Sequence, residues 1–351
     1  MRVTFTSSFV SNAPVVTPVN FTNLPIARAV YDVNGTRLAT NFVNSTVTLG
    51  ITDFEGDVNP RTAGDRSLDI FDWTQVGRFV AGLDTVSNTS EFQRADCAPV
   101  NTSGDGMLKV NDWVQAGRYG AAIDVPRFVS GPAASVTPVT LIGGPRMVNI
   151  TGGIGVKGLN LTVPVTLQSQ GNENALGFSV KFDPTVLKYV SATKGSAATS
   201  ATLLVNSNLA PSGIVGVMLA LQSGNTFTNG TQPEIAKFTF TALNTTTNGV
   251  VAFTNGPVLL AISDPTAIEL AAIYTNNLVT INPPPTLAPV LTSTNVTLTW
   301  PVWGTGFNLL ATGDLTQPWT NVSYAAQTNG SNIILILPAP IQDGYFRLQH
   351  P

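Results

Sequence analysis

The chain of 351 residues is poor in the groups on which most enzymes depend. Its only histidine is His350, next to last, so a Ser-His-Asp triad, a zinc centre or a histidine base held inside a fold has no residue to use. Cys97 is the only cysteine, which rules out an intrachain disulfide and leaves cores or metals to hold the chain together. It stands where an earlier repeat has Val58, and it reads as a small buried apolar side chain rather than a reactive thiol. Charged residues make up 11%, under half of the ~25% usual in soluble domains. The net charge is −3 and the pI about 5.1, with no basic stripe, so nucleic acid is not an expected partner. No apolar run reaches the roughly eighteen residues of a membrane span. The first ten residues lack the apolar core and cleavage site of a signal peptide. They read instead as a β-strand with Val3 and Phe5 on one face, so a secreted product would be numbered after processing or from within a longer gene product. Glu55, Glu91, Glu173, Glu234 and Glu269 are scattered and give no local support for a glycosidase carboxylate pair. The expectation is a protein that is not an enzyme.

What the chain does have is Thr, Ser, Asn, Gly and Pro in abundance, a mean hydropathy of +0.20, and a duplication. Asp65-Arg66-Ser67-Leu68-Asp69-Ile70-Phe71-Asp72-Trp73 runs into Thr74-Gln75-Val76-Gly77-Arg78-Phe79. Forty residues on, Asp105-Gly106-Met107-Leu108-Lys109-Val110-Asn111-Asp112-Trp113 runs into Val114-Gln115-Ala116-Gly117-Arg118-Tyr119. A duplicated acidic loop followed by a helix is how paired calcium sites are built, since Ca²⁺ takes about six to eight oxygens from a short loop closed by a carboxylate. Phe71, Val76 and Phe79, and likewise Val110, Trp113, Val114 and Gly117, recur at helical spacing. Gly82 and Gly120 are placed to close the two helices in the left-handed conformation.

The rest reads as β-structure. Residues 1–52 contain the Asn34-Gly35 hairpin signal and an alternating Val47, Leu49, Ile51 segment, too little to close a sandwich alone. Residues 126–146 turn to Pro, Ser and Val and suggest a linker or an extended first strand. Residues 147–282 read as eight or nine short strands, and Pro283-Pro284-Pro285 is a stiff spacer before a last small β module. Asn-x-Ser/Thr triplets begin at Asn20, Asn34, Asn44, Asn88, Asn101, Asn149, Asn160, Asn229, Asn244, Asn295, Asn321 and Asn329. They are more than chance order would place there, and they suggest an N-glycosylated surface, although Asn-Gly-Thr and Asn-Thr-Ser are also good turn sequences.

The duplicated segment resembles a dockerin, the paired calcium-loop module of bacterial extracellular assemblies, and is closest to versions with Pro-containing loop insertions. The resemblance implies Ca²⁺ held in the first loop by Asp57, Asn59, Asp65, Asp69, Asp72 and the carbonyl of Ser67. In the second loop it implies Asp96, Asp105, Asp112 and the carbonyl of Met107, a weaker site because Ala98 offers no ligand and Lys109 stands where an oxygen could help. Residues 147–282 resemble a cohesin, the sandwich that receives dockerins. The residues that carry this are Leu161 to Leu167, Gly177-Phe178-Ser179-Val180-Lys181-Phe182-Asp183-Pro184 and Ile235 to Phe240. Related carbohydrate-binding sandwiches share the Asp-Pro feature but usually show exposed aromatics, and this stretch has no Trp. The last module looks like a small immunoglobulin-like domain, with Trp300, Trp303 and Trp319 expected in its core.

The expected fold is therefore mainly β and multi-domain. It comprises N-terminal strands (1–52), a small helical dockerin-like calcium-binding module (53–125), a linker (126–146), a cohesin-like β-sandwich (147–282) and a C-terminal immunoglobulin-like β module (283–351). The expected function is that of a secreted or cell-surface, non-catalytic, glycosylated subunit. Identical copies would join it head to tail into calcium-stiffened fibres, with the strand from Val3 to Val10 completing a sheet of the next copy. The alternative is an adaptor that docks other secreted proteins or carbohydrate at the cell surface. Docking of the helical module on the sandwich of its own chain is the main rival to polymerisation.

Overall fold

The computed structural model describes residues 15–49, 53–61, 63–130, 145–222, 224–230, 234–322, 325–338 and 344–351. The expected strand from Val3 to Val10 and most of the expected linker lie outside them.

The first strands form two small sheets. β1 (Val15–Val19) pairs with β4 (Ser45–Leu49), and β2 (Val30–Tyr31) pairs with β3 (Arg37–Leu38) across a turn in which Gly35 takes a positive φ of 79°. Phe21, Leu24, Ile26, Tyr31, Val33 and Val43 are exposed, and none of the buried core residues among those described lies in this region.

Residues 53–130 form the helical module: α1 (Ile70–Val80), α2 (Thr89–Ala95) and α3 (Val110–Gly120). The short α2 has no apolar period to announce it; Asn88 caps it by accepting from the Glu91 N–H. α1 and α3 pack as a near-symmetric pair. Trp73 and Trp113 stack with centroids 5.1 Å apart, each indole lying against a glycine of the opposite helix. The forty-residue offset extends to the helix ends. Arg78 and Gln75 donate to Asp84, as Arg118 and Gln115 donate to Asp124. At the C-termini the symmetry is kept by different residues. Gly82 takes the left-handed position after α1 (φ 64°), whereas after α3 that position is filled by Ala122 (φ 54°) rather than by Gly120. Gly120 is needed for close approach instead, since a Cβ there would lie 2.7 Å from the Asp69 carbonyl oxygen. Phe71, expected on the apolar face, is exposed; Val76, Phe79 and Val80 are buried.

A Cβ at Gly77 would lie 2.5 Å from Trp113 Nε1, in a tightly packed interior. On an exposed helix Gly→Ala gains about 1 kcal/mol, but overpacking costs about 1–3 kcal/mol. Gly77→Ala is therefore expected to lower the thermal stability of the helical module; an unchanged or raised melting temperature would contradict this packing.

The sandwich is built from β5 (Arg146–Ile150), β6 (Gly153–Val156), β7 (Asn160–Gln168), β8 (Ala175–Phe182), β9 (Leu187–Lys194), β10 (Thr202–Asn206), β11 (Ile214–Ala220), β12 (Glu234–Ala242), β13 (Thr246–Thr254), β14 (Ala261–Ser263), β15 (Ala272–Thr275) and β16 (Asn277–Asn282). One sheet runs β10-β11-β8-β13-β16-β6, with β14 also on β8; the other runs β15-β5-β7-β12-β9. Alternation on β7 turns Leu161, Val163, Val165 and Leu167 inward, against Phe178, Val180, Val217, Leu219, Phe238 and Phe240.

The last module has β17 (Ala288–Leu291), β18 (Asn295–Pro301), β19 (Asn308–Thr312), β20 (Thr320–Asn321), β21 (Gln327–Asn329), β22 (Asn332–Pro338) and β23 (Tyr345–Gln349). They form sheets β17-β18-β22-β21 and β20-β19-β23. Of the three tryptophans expected in its core, only Trp300 is buried. Trp303 donates to the Pro283 carbonyl at the junction with the spacer, and Trp319 lies outside the sheet under the Arg347 guanidinium, 4.3 Å from its ring centroid.

Candidate functional site

β8 and β11 are buried on both faces, which a sandwich alone does not explain. One face of each belongs to the sandwich core. On the other, Ala175, Met218, Ala220, Val258, Ala261 and Ala267 share a second apolar cluster with Val110, Val114 and Ala116 of α3 and Val76 and Val80 of α1. The paired helices are thus seated on the outer face of the β10-β11-β8 sheet of their own chain. Small side chains make the close approach possible: a Cβ added at Gly177 would sit 3.6 Å from that of Val110.

Polar ties rim this contact. The buried Asn206 amide donates to the carbonyls of Ala81 (2.9 Å) and Gly82 (2.8 Å), satisfying groups that the end of α1 leaves open. Arg118 Nη1 donates to the Pro265 carbonyl at 2.7 Å, and Lys109 Nζ meets Glu269 Oε2 at 2.8 Å. The fit is incomplete on one side, where a cavity of about 270 Å³ is walled by Ile70, Trp73 and Val114 of the helices and Asn174, Ala220 and Leu221 of the sandwich. None of the sandwich residues in this interface was legible as a site. The usable signal was the apolar run Ile214-Val215-Gly216-Val217-Met218-Leu219-Ala220, too continuous for a strand with one wet face.

The two acidic loops share one internal geometry. Asp57 accepts from the N–H groups of Asp65 and Arg66, and Asp96 from those of Asp105 and Gly106. Gly64 (φ 69°) and Gly104 (φ 95°) curl over these carboxylates, where a Cβ would fall 2.3 and 2.4 Å from the aspartate. Asp72 accepts from Val58, Asn59 and Asp69, and Asp112 from Ala98 and Lys109. These four aspartates are buried. Burial pushes the carboxyls of Asp57 and Asp96 up to about 6, against the pull of their backbone donors; it also raises Asp72, and Asp112 well above the ordinary range. Glu55, next to the first loop, is pushed up to about 8, again mainly by burial.

The remaining candidate ligands differ between the loops. Asp65 accepts from Ser67 N–H, and Asp69 is the N-cap of α1, accepting from Phe71 N–H at 2.7 Å. In the second loop Asp105 accepts from Met107 N–H and pairs with Lys109 at 2.9 Å, so a lysine ammonium already stands among its oxygens. The first loop, with Asp57, Asp65, Asp69, Asp72 and the Asn59 side chain, has the donor chemistry of a hard cation and no cationic side chain bonded to its carboxylates among the described residues. The second fits one only with Lys109 displaced. Among the described residues no three His, Cys, Asp or Glu side chains are gathered closely enough to hold a metal. Cys97 is buried, its Sγ 3.4 Å from the Asp112 carbonyl, and burial lifts its thiol well above the ordinary value. Ten of the twelve Asn-x-Ser/Thr asparagines are exposed; Asn149 and Asn295 are half-buried.

Residues 148–281 match the family model of the cohesin domain, and the sandwich is cohesin-like. Among solved structures, the chain is similar to a non-cellulosomal cohesin from the hyperthermophilic archaeon Archaeoglobus fulgidus (12% identity, TM-score 0.34, covering 39% of this chain and 91% of that one). It is similar to the sixth cohesin of Acetivibrio cellulolyticus scaffoldin B, solved with a dockerin (22%, 0.34, 39% and 98%). It is also similar to a type I cohesin–dockerin complex from Clostridium thermocellum (14%, 0.35, 43% and 99%). No curated protein matches the chain significantly. No helix among the described residues is long and apolar enough to cross a membrane.

Proposed function

We propose that the protein is a non-catalytic docking subunit of an extracellular or cell-surface assembly, in which the cohesin-like sandwich receives a dockerin-like helical module and its own module fills that role. The observation that carries this is the apolar contact of α1 and α3 with β8, β11 and β14, tied by Asn206, Arg118 and Lys109. Docking within one chain has an effective concentration on the order of mM for a short link. A separate partner of equal intrinsic affinity at about 1 μM would therefore occupy the face only about one time in a thousand. The sandwich serves other chains when their module binds more tightly, or when copies exchange modules, which joins the adaptor reading to head-to-tail assembly.

Calcium belongs to this proposal as a structural ion of the first loop, held by Asp57, Asn59, Asp65, Asp69, Asp72 and the Ser67 carbonyl. It would set the entry of α1 and so the surface offered to the sandwich. The second loop uses Lys109 for part of that work. N-linked sugar on the exposed asparagines fits the same setting.

The test mixes a fragment of residues 53–130 with one of residues 145–282 and measures binding by calorimetry, with calcium and with EGTA. Binding that strengthens in calcium is expected. Absence of binding in both conditions would remove the docking role, and equal binding would remove the calcium role alone.

A further inference from the structure

The two acidic loops repeat one design, yet they differ at the residue that opens the following helix. Asp69 caps α1, its carboxylate accepting from Phe71 N–H, and forty residues on the same position of α3 is Lys109. A lysine is poorly suited to that place. Its ammonium accepts no hydrogen bond and so cannot cap, and its charge stands at the positive end of the helix dipole. A residue that breaks the local rule at a repeated position is held by something beyond the helix.

Two carboxylates hold it. Lys109 Nζ lies 2.9 Å from Asp105 Oδ2 in the loop and 2.8 Å from Glu269 Oε2 on the sandwich, with the Lys109 and Asp105 side chains only 12% and 10% exposed. With Nζ in place, every carboxylate oxygen of the second loop's three aspartates has a donor. Asp96 accepts from Asp105 and Gly106 N–H, Asp112 from Ala98 and Lys109 N–H, and the other oxygen of Asp105 from Met107 N–H. Ala98, where the first loop has Asn59, adds no side-chain oxygen. A calcium ion ligated by Asp105 Oδ2 would sit about 2.3–2.6 Å from that oxygen, and so at most about 5.5 Å from the ammonium. Two cations so close in a largely buried site repel strongly.

We propose that Lys109 is the resident cation of the second loop: its ammonium stands in the place of a calcium ion, the loop holds no metal, and Glu269 of the docked sandwich completes the site. The helical module then has room for one calcium ion, in the first loop. Calcium governs the entry of α1, whereas the entry of α3 is fixed by a bond that forms only while the module is docked. This deepens the docking reading and rests on it only through Glu269; the exclusion of metal from the second loop stands on the loop itself.

The test counts calcium on the full chain by isothermal titration calorimetry. A double variant, Asp65→Asn with Asp69→Asn, removes two carboxylates from the first loop while keeping a capping side chain. It is expected to bind no calcium at about 1 mM, the range in which extracellular loops fill. Adding Lys109→Asp, which gives the second loop the residue type of the first, is expected to restore one ion per chain and to raise the melting temperature in calcium over that in EGTA. Lys109→Asn is the second variant, and circular dichroism checks that each is folded. Calcium bound by the double variant with Lys109 intact, or no ion gained with either substitution at Lys109, would overturn the proposal. With the first loop disabled throughout, the count does not depend on whether that loop holds calcium. Glu269→Gln in the otherwise native chain is expected to lower the melting temperature by about 2–4 °C, alike in calcium and in EGTA. No shift there would overturn the sandwich's share in the site. Failure of the docking reading itself would show in the absence of binding between the two fragments and would leave the calcium count as it is.

Discussion

Glu173→Ala is expected to destabilise the sandwich by about 3–5 kcal/mol, the cost of leaving a buried charge without its partner. Arg146 and Glu173 are both fully buried and meet at 2.9 Å. Glu173 also accepts from Ser169 Oγ, Gln170 N–H and Gly171 N–H, and Arg146 donates to Asn172 Oδ1, so the pair ties the start of β5 to the turn between β7 and β8. Burial alone would raise the Glu173 carboxyl, but the bonds from Ser169, Gln170 and Arg146 together outweigh it and hold the group below its ordinary value of 4.5. A depressed folded value stabilises above the unfolded value, and that contribution fades as pH falls through the folded one. The native chain should therefore lose part of its stability on acidification below about pH 4.5, and Glu173→Ala should lack that part of the slope. A melting temperature lowered by on the order of 10 °C at pH 7 is the expected size. Denaturation at pH 7 and pH 3 decides it; a variant within 1 kcal/mol of the native chain at pH 7 would show that the pair is dispensable.

Met218→Asp is expected to release the helical module while the sandwich stays folded. Met218 is fully buried but faces away from the sandwich core, which its neighbours Val217 and Leu219 fill. A carboxylate there meets Val258, Ala261 and the apolar face of α3 with no cation in the cluster, at a cost of several kcal/mol. Opening the interface removes that cost, and undocking is the cheaper outcome because both modules keep their own cores. Limited proteolysis should then digest the helical module at least tenfold faster, with the sandwich fragment surviving. Asn206→Ala, which leaves two carbonyls of α1 without their donor, should give a smaller effect in the same direction, about 1–3 kcal/mol. An unchanged cleavage rate in Met218→Asp would mean that the contact does not hold the module.

Local pattern determined a good deal. The alternation of β7 and β12, the Asn34-Gly35 hairpin and the helical period after each acidic loop are short-range signals, each set by side chains a few residues apart. The same holds for the duplication itself, which carried the Trp73 and Trp113 stack, the paired arginine–aspartate ties and the glycines over Asp57 and Asp96 as a repeated unit. Packing overrode these signals where a residue serves a distant neighbour. Phe71 has the spacing of a core residue but lies outside the contact of α1 with α3, and Trp303 and Trp319 face a spacer and an arginine rather than a core. Ala122 takes the left-handed position that Gly82 takes in the first unit, while Gly120 serves the close approach to the Asp69 carbonyl. The seat of the helices on β8 and β11 depends on residues more than a hundred positions apart, Asn206 with Ala81 and Lys109 with Glu269, and no local spacing encodes such a pair. Sequence thus determined which modules this chain makes; which faces those modules cover follows only from how they fit together.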